Sequence, residues 1–203
     1  MKGAWLLTAY GARNTVTPPA PGAGSVDVRA VDVSYWDGVE GSGFFNDTDT
    51  SFPVSTTADR VRVVGFRFAL AIPKDATVTS AVLTAYQNQN STWVVADDRT
   101  LGAEQVDNAG VASSLADLQA RYTNRGTTVT WSNAGTILNS QPVPTGSITA
   151  MLQAIVNRAG WVSGNHVMLW CSHPGSGGHN AQWRSVVGQS AGVQPRLEVG
   201  FTS

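Results

Sequence analysis

Cysteine occurs once, at Cys171, so no intrachain disulfide can staple this chain and its stability must come from packing or from assembly. Lysine is nearly as scarce, at Lys2 and Lys74 alone. The other cations are arginines spread singly from Arg13 to Arg196, and 13 basic residues against 14 acidic ones give a net charge of -1. That balance offers no positive field to a phosphate backbone and no polybasic run to an anionic membrane surface, so neither nucleic acid nor membrane is expected as a partner. No apolar run approaches the roughly eighteen residues that a membrane-spanning helix needs. The apolar part of Met1 to Tyr10 is also short for a secretion leader. Charged residues make up only 13% of the chain while glycine, serine and threonine are plentiful, which excludes a helical bundle rich in Glu and Lys.

What is present is strand chemistry broken by turns, over 203 residues that suit one domain. Residues 1–25 read as an arm and linker. Trp5, Leu6, Leu7 and Tyr10 form an apolar anchor that free solvent would not favour, and Thr15 to Ser25 carries Pro18, Pro19 and Pro21 among small residues. Residues 26–203 read as the folded domain. Val26 to Trp36 alternates apolar and polar residues, and Val61 to Leu70 does so with Val64, Phe66, Phe68 and Leu70 on one face. Thr77 to Tyr86, Thr127 to Trp131, Asn165 to Ser172 and Arg196 to Phe201 continue the strand pattern. Phe44 to Phe52 reads as a loop, and the polar stretch Gln87 to Ser114 as a long irregular connection. One helix is expected, over Ile148 to Arg158, because Ile148, Met151, Leu152, Ile155 and Val156 recur at helical spacing. Ser147 is placed to cap its start, and Gly160 to close its end in a left-handed conformation. Met151, Leu152 and Ile155 are its expected packing residues. The predicted fold is all-β, an antiparallel jelly-roll β-sandwich with one short helix near residues 148–158.

Several blocks strengthen that expectation. Val64-Gly65-Phe66-Arg67-Phe68 leads to Ile72-Pro73-Lys74-Asp75-Ala76-Thr77, followed by Thr128-Val129-Thr130-Trp131 and by the segment from Met151 to Asn165. With Gln194-Pro195-Arg196-Leu197-Glu198-Val199 at the end, this series resembles the DNRLRE-type, disaggregatase-related jelly-roll modules over about residues 60–203. The resemblance implies a β-sandwich of the kind found in extracellular, carbohydrate-associated and bacteriophage proteins, used for binding or assembly rather than catalysis. A chain that is nearly all module is then expected to be a virion component, a capsid decoration or tail-associated subunit, meeting other virion proteins in a multimer. The alternative is an extracellular carbohydrate-binding module recognising a glycan.

The candidate site residues fit either use. Trp161, Trp170 and Trp183, with His173, His179 and Arg184, could stack on and hydrogen-bond to a sugar, or could fill a core or a subunit interface. Cys171, His173 and His179 lack a zinc spacing, and no metal is assigned to them. Asn46, Asp47 and Asp49 supply oxygens of the type calcium prefers, but without an EF-hand pattern they read as loop formers. Asp97, Asp98, Glu104 and Asp107 are carboxylates without a visible acid–base pairing. No phosphate loop, dinucleotide fingerprint or nucleophile elbow is present, so neither catalysis nor a cofactor is expected.

Overall fold

A computed structural model describes residues 22–38, 44–46, 48, 51–53, 61–93, 98–132, 135–173 and 182–203. The arm residues Trp5, Leu6, Leu7 and Tyr10 lie outside these, as do Asp47, Asp49, Asp97 and His179.

Two antiparallel sheets dominate. The first orders β1 (Ala23–Arg29), β14 (Arg196–Thr202), β6 (Thr77–Tyr86) and β11 (Pro142–Pro144) side by side. The second runs β3 (Phe44–Asn46), β2 (Asp32–Gly38), β5 (Val61–Ala69), β12 (His166–His173), β8 (Arg99–Glu104) and β9 (Arg125–Trp131). Neither sheet closes into a barrel. Two small ribbons accompany them: β10 (Gly135–Ile137) pairs with β7 (Ser91–Trp93), and β13 (Gln182–Arg184) pairs with β4 (Ser51–Pro53). Pairing of the first strand begins at Ala23, opposite Thr202, so the last three residues read as linker belong to the sheet.

The alternation along each strand explains this layering. Val64, Phe66 and Phe68 of β5 and Val167, Leu169 and Cys171 of β12 point into one apolar cluster, which also takes Leu83 and Ala85 of β6 and Leu197 and Val199 of β14. Both sheets therefore bury their facing sides in the same core. On the far side of the second sheet, Val63, Met168 and Trp170 join Leu118 in a smaller cluster. Gly65 lies beneath the Trp170 indole there, and any β-carbon at that position would collide with the ring.

Among the described residues two α-helices are present rather than one. The expected helix is α2 (Thr149–Val156), and Met151, Leu152, Ile155 and Val156 are its buried residues. It packs on β6 and reaches β8 and β9. Its ends differ from expectation. Ile148 occupies the N-cap position, with Ser147 Oγ one residue earlier accepting a bond from Thr149 N at 3.4 Å. Gly160 is not among the residues of positive φ; instead it lies against the Asp107 carboxylate, where a side chain would not fit.

The unexpected helix is α1 (Leu115–Thr123). Ser114 Oγ accepts from Asp117 N at 3.2 Å, a serine N-cap, and Asp117 Oδ2 accepts from Ser113 N, one residue before the cap, at 2.9 Å. Leu118 is its buried contact with the second sheet. Arg121 anchors it by a two-pronged pair with Glu104, at 2.9 and 2.8 Å, and also donates to Gly110 O at 2.8 Å. Burial works against the charge on Arg121, but the hydrogen bond and charge of Glu104 outweigh it and hold the guanidinium pKa above its ordinary value.

The stretch Gln87 to Ser114 is correspondingly less irregular than its polarity implies, because it contains β7 and the central strand β8, flanked by β12 and β9. Its charged ends are buried and matched: Glu104 by Arg121, and Arg99 by the face of Trp183, 5.1 Å from its guanidinium carbon. Likewise Phe44 to Phe52, expected as loop, contributes β3 and part of β4.

One edge of the first sheet has unusual chemistry. In β11 the bonds to β6 fall on the odd positions, since Gln87 N donates to Gln141 O and Thr145 N to Leu83 O. Pro142 and Pro144 therefore occupy the outward positions and present no N–H. The Pro144 carbonyl is already taken by Trp131 Nε1 at 3.0 Å.

Candidate functional site

The three tryptophans proposed from sequence for a sugar platform are placed apart, and their rings are covered. Trp161 is buried beside the core, its Nε1 donating to Ile72 O at 3.0 Å. Trp170 lies under α1 on the other side of the second sheet, with Arg121 5.7 Å from its ring centre. Trp183 stacks at 4.4 Å and 35° on Trp131, with Phe66 6.1 Å away and Arg99 over its face. None of the three offers an exposed ring for stacking, since each is at most 1% exposed. Indoles have large apolar surfaces to remove from water, and this fold uses all three to fill space.

Arg184 does stand in a cluster. β13 carries it to the end of the molecule where Gln87–Asn90, Leu138–Gln141 and Gln189 meet. Its Nη1 donates to Gln189 Oε1 at 2.6 Å, its Nη2 to Asn139 Oδ1 at 2.9 Å and Ser140 Oγ at 3.1 Å, and its Nε to Gln87 O at 3.3 Å. Asn139 N in turn donates to Asn90 Oδ1 at 2.8 Å, and Asn88 N to Gln182 O at 2.7 Å. Ser140 takes a φ of 64°, which turns its hydroxyl into the clamp. The result is a rim of amides and hydroxyls drawn together by one guanidinium. Such groups donate and accept in equal measure and suit a neutral polyhydroxyl surface better than a charged one. Arg184 stands out in the sequence but its partners do not, although the amide run Gln87-Asn88-Gln89-Asn90 is a signal for them.

Among the described residues no group of three or more His, Cys, Asp or Glu is placed to hold a metal ion. His173 closes β12 opposite Arg62. His166 lies on the same strand with Nδ1 3.2 Å from Asn108 Oδ1, and partial burial and then the charge of Arg67 hold its pKa below 6.5. Asn46 Oδ1 is turned onto Thr48 N at 2.7 Å, a local turn bond. Glu104 is committed to Arg121, Asp107 to Arg158 at 2.7 Å, and Asp98 to the Ser132 hydroxyl at 2.6 Å.

Cys171 is fully buried, and desolvation pushes its thiol from 9.0 up to about 12 against a smaller opposing pull from Arg99. It is neither a nucleophile nor a metal ligand in this state. A thiol reagent at pH 8 is expected to label Cys171 only after denaturation, and labelling of the folded chain at the rate of free cysteine would contradict its placement. This contribution to stability is complete below about pH 9 and is lost as pH rises towards 12, because the unfolded thiol ionises first.

Two of the surface depressions among the described residues lie against elements already introduced. One, of about 450 Å³, lies on the outer face of the first sheet between Ser80, Pro142, Pro144, Arg196 and Glu198, and none of its lining residues is aromatic. The other, of about 200 Å³, separates Met151 and Ala154 of α2 from Val129 of β9. No helix among the described residues is long and apolar enough to cross a membrane.

Two antiparallel sheets dominate the described residues, Trp131, Trp161, Trp170 and Trp183 are buried, and a rim of amides and hydroxyls gathers around Arg184. The sequence matches no family model, and no curated protein matches it.

Proposed function

We propose that this chain is a noncatalytic structural subunit of a bacteriophage particle, a capsid decoration or tail-associated protein that assembles through its β-domain and its N-terminal arm. The observation that carries this reading is the strand order. With β3 and its neighbour β2 set aside, β1-β14-β6-β11 and β5-β12-β8-β9 share one core, and their order along the chain is the one a jelly roll of two Greek keys would have, which supports this reading. Viral capsid domains are a major user of that arrangement, and the analogy is one of fold. The burial of Trp161, Trp170 and Trp183 adds support, since it removes the stacking surface on which a sugar-binding reading of those residues depends. The arm joins the domain at the first residue of an edge strand, next to the C-terminal end of β14, so it can engage a neighbour without disturbing the core.

Deletion of residues 1–20 is expected to leave a β-rich, cooperatively folding domain by circular dichroism while sharply lowering its copy number in purified particles. Normal incorporation of the truncated chain would remove the arm from the assembly mechanism. Carbohydrate binding remains the second reading, favoured by the amide and hydroxyl rim around Arg184. Retention on host polysaccharide that is lost in Arg184→Ala would select it.

A further inference from the structure

We propose that the open edge of β1 docks onto the same strand of a second copy of this chain, in an antiparallel pair that places Asp27 opposite Arg29 of the second copy. The hydrogen-bond phase defines the edge. Ser203 N donates to Gly22 O at 3.2 Å and Ala30 N to Pro195 O at 2.8 Å, so the even-numbered residues of β1 face β14. The N–H and C=O groups of Ala23, Ser25, Asp27 and Arg29 then project from the opposite side. Among the described residues no strand pairs with that side.

The other described edges of the two main sheets differ. Prolines close β11, β3 is three residues long, and β9, also seven residues long, pairs with β8 across a register shift between Gly102 and Glu104. By contrast, β1 has seven residues, no proline and a continuous register with β14. A row of unpaired backbone groups of that length is a template for strand addition.

Charge selects the occupant and the register. With a two-fold axis beside Val28, Asp27 meets Arg29 of the second copy and Arg29 meets its Asp27, giving two opposite-charge pairs on one face. A shift of two residues either way sets Asp27 against Asp27 or Arg29 against Arg29. The strand is therefore complementary to itself in one register and repelled in its neighbours. Within each copy Asp27 also lies 3.7 Å from Arg196, which fixes its carboxylate on that outer face.

The contact bears on the assembly reading above but is measured on the purified full chain in solution, so the two can fail separately. Sedimentation velocity is expected to show a concentration-dependent dimer. Asp27→Pro removes an outward N–H that β14 does not use, and is expected to give a folded monomer. Asp27→Arg and Arg29→Asp should each weaken the dimer about ten-fold, and the double reversal should restore it. Should Asp27→Pro fail to fold, the reversal series decides. A wild-type monomer at the highest soluble concentration, an undiminished dimer in folded Asp27→Pro, or a double reversal as weak as the singles would each overturn the proposal.

Discussion

Leu152→Ala is expected to destabilise the domain by about 2–5 kcal/mol, the usual range for truncating a buried leucine. Leu152 is fully buried in the main cluster, between Met151 and Ile155 and against β6. A helix of eight residues has little stability of its own, so α2 exists because that stripe is covered. The neighbouring Gln153 is not an inert control, although its side chain lies off the stripe. Its Oε1 accepts from Val78 N at 2.7 Å and its Nε2 donates to Ala76 O at 3.0 Å, closing the start of β6. The proper reference is the exposed Ala154, where Ala154→Gln is expected to stay within about 0.5 kcal/mol. Urea unfolding of the purified variants checks the pair, and a change below about 0.5 kcal/mol for Leu152→Ala would mean that the helix stripe is not part of the core.

Glu104→Leu should cost as much or more, about 3–5 kcal/mol, because it leaves the Arg121 guanidinium beneath α1 without its carboxylate. The Glu104 side chain is 4% exposed and that of Arg121 14%, so water compensates little, and Asp117 at 3.9 Å is a distant substitute. The double variant Glu104→Leu/Arg121→Met is expected to recover most of the loss, since it removes both desolvated charges together. Equal destabilisation in the single and double variants would assign the effect to packing around Trp170 rather than to the ion pair.

The sheets were legible wherever alternation was apolar and clean. Val64, Phe66 and Phe68, or Leu197 and Val199, announce their inward face without reference to any partner. The helix stripe at Met151, Leu152 and Ile155 was equally plain. What escaped was structure whose apolar signal is replaced by pairing across the fold. β8 begins with Arg99 and ends with Glu104, and the Trp183 ring and the Arg121 guanidinium, from other segments, help make those burials acceptable. α1 has one fully buried residue, Leu118, and its clearest mark is the Ser114 and Asp117 cap rather than its hydrophobicity. The tryptophans were ambiguous for a different reason: an indole suits a core, an interface and a sugar equally, and its neighbours are contributed by remote strands. Arg184 was visible as a charge, whereas the rim it gathers spans segments up to about a hundred residues apart in the chain.

The two prolines of β11 also limit how far strand pairing can propagate. Within the first sheet, β1 is the one described edge open to strand addition, which gives that sheet a valence of one for this kind of contact. Once two copies join through β1, the merged sheet has eight strands and ends in β11 on both sides, where the outward positions carry no donor. Growth stops there, so such a pair is a closed unit and not the seed of a fibre. Any larger, ordered array of this chain must then be propagated by a chemically distinct contact, and the apolar arm of residues 1–14 has the composition for that second role.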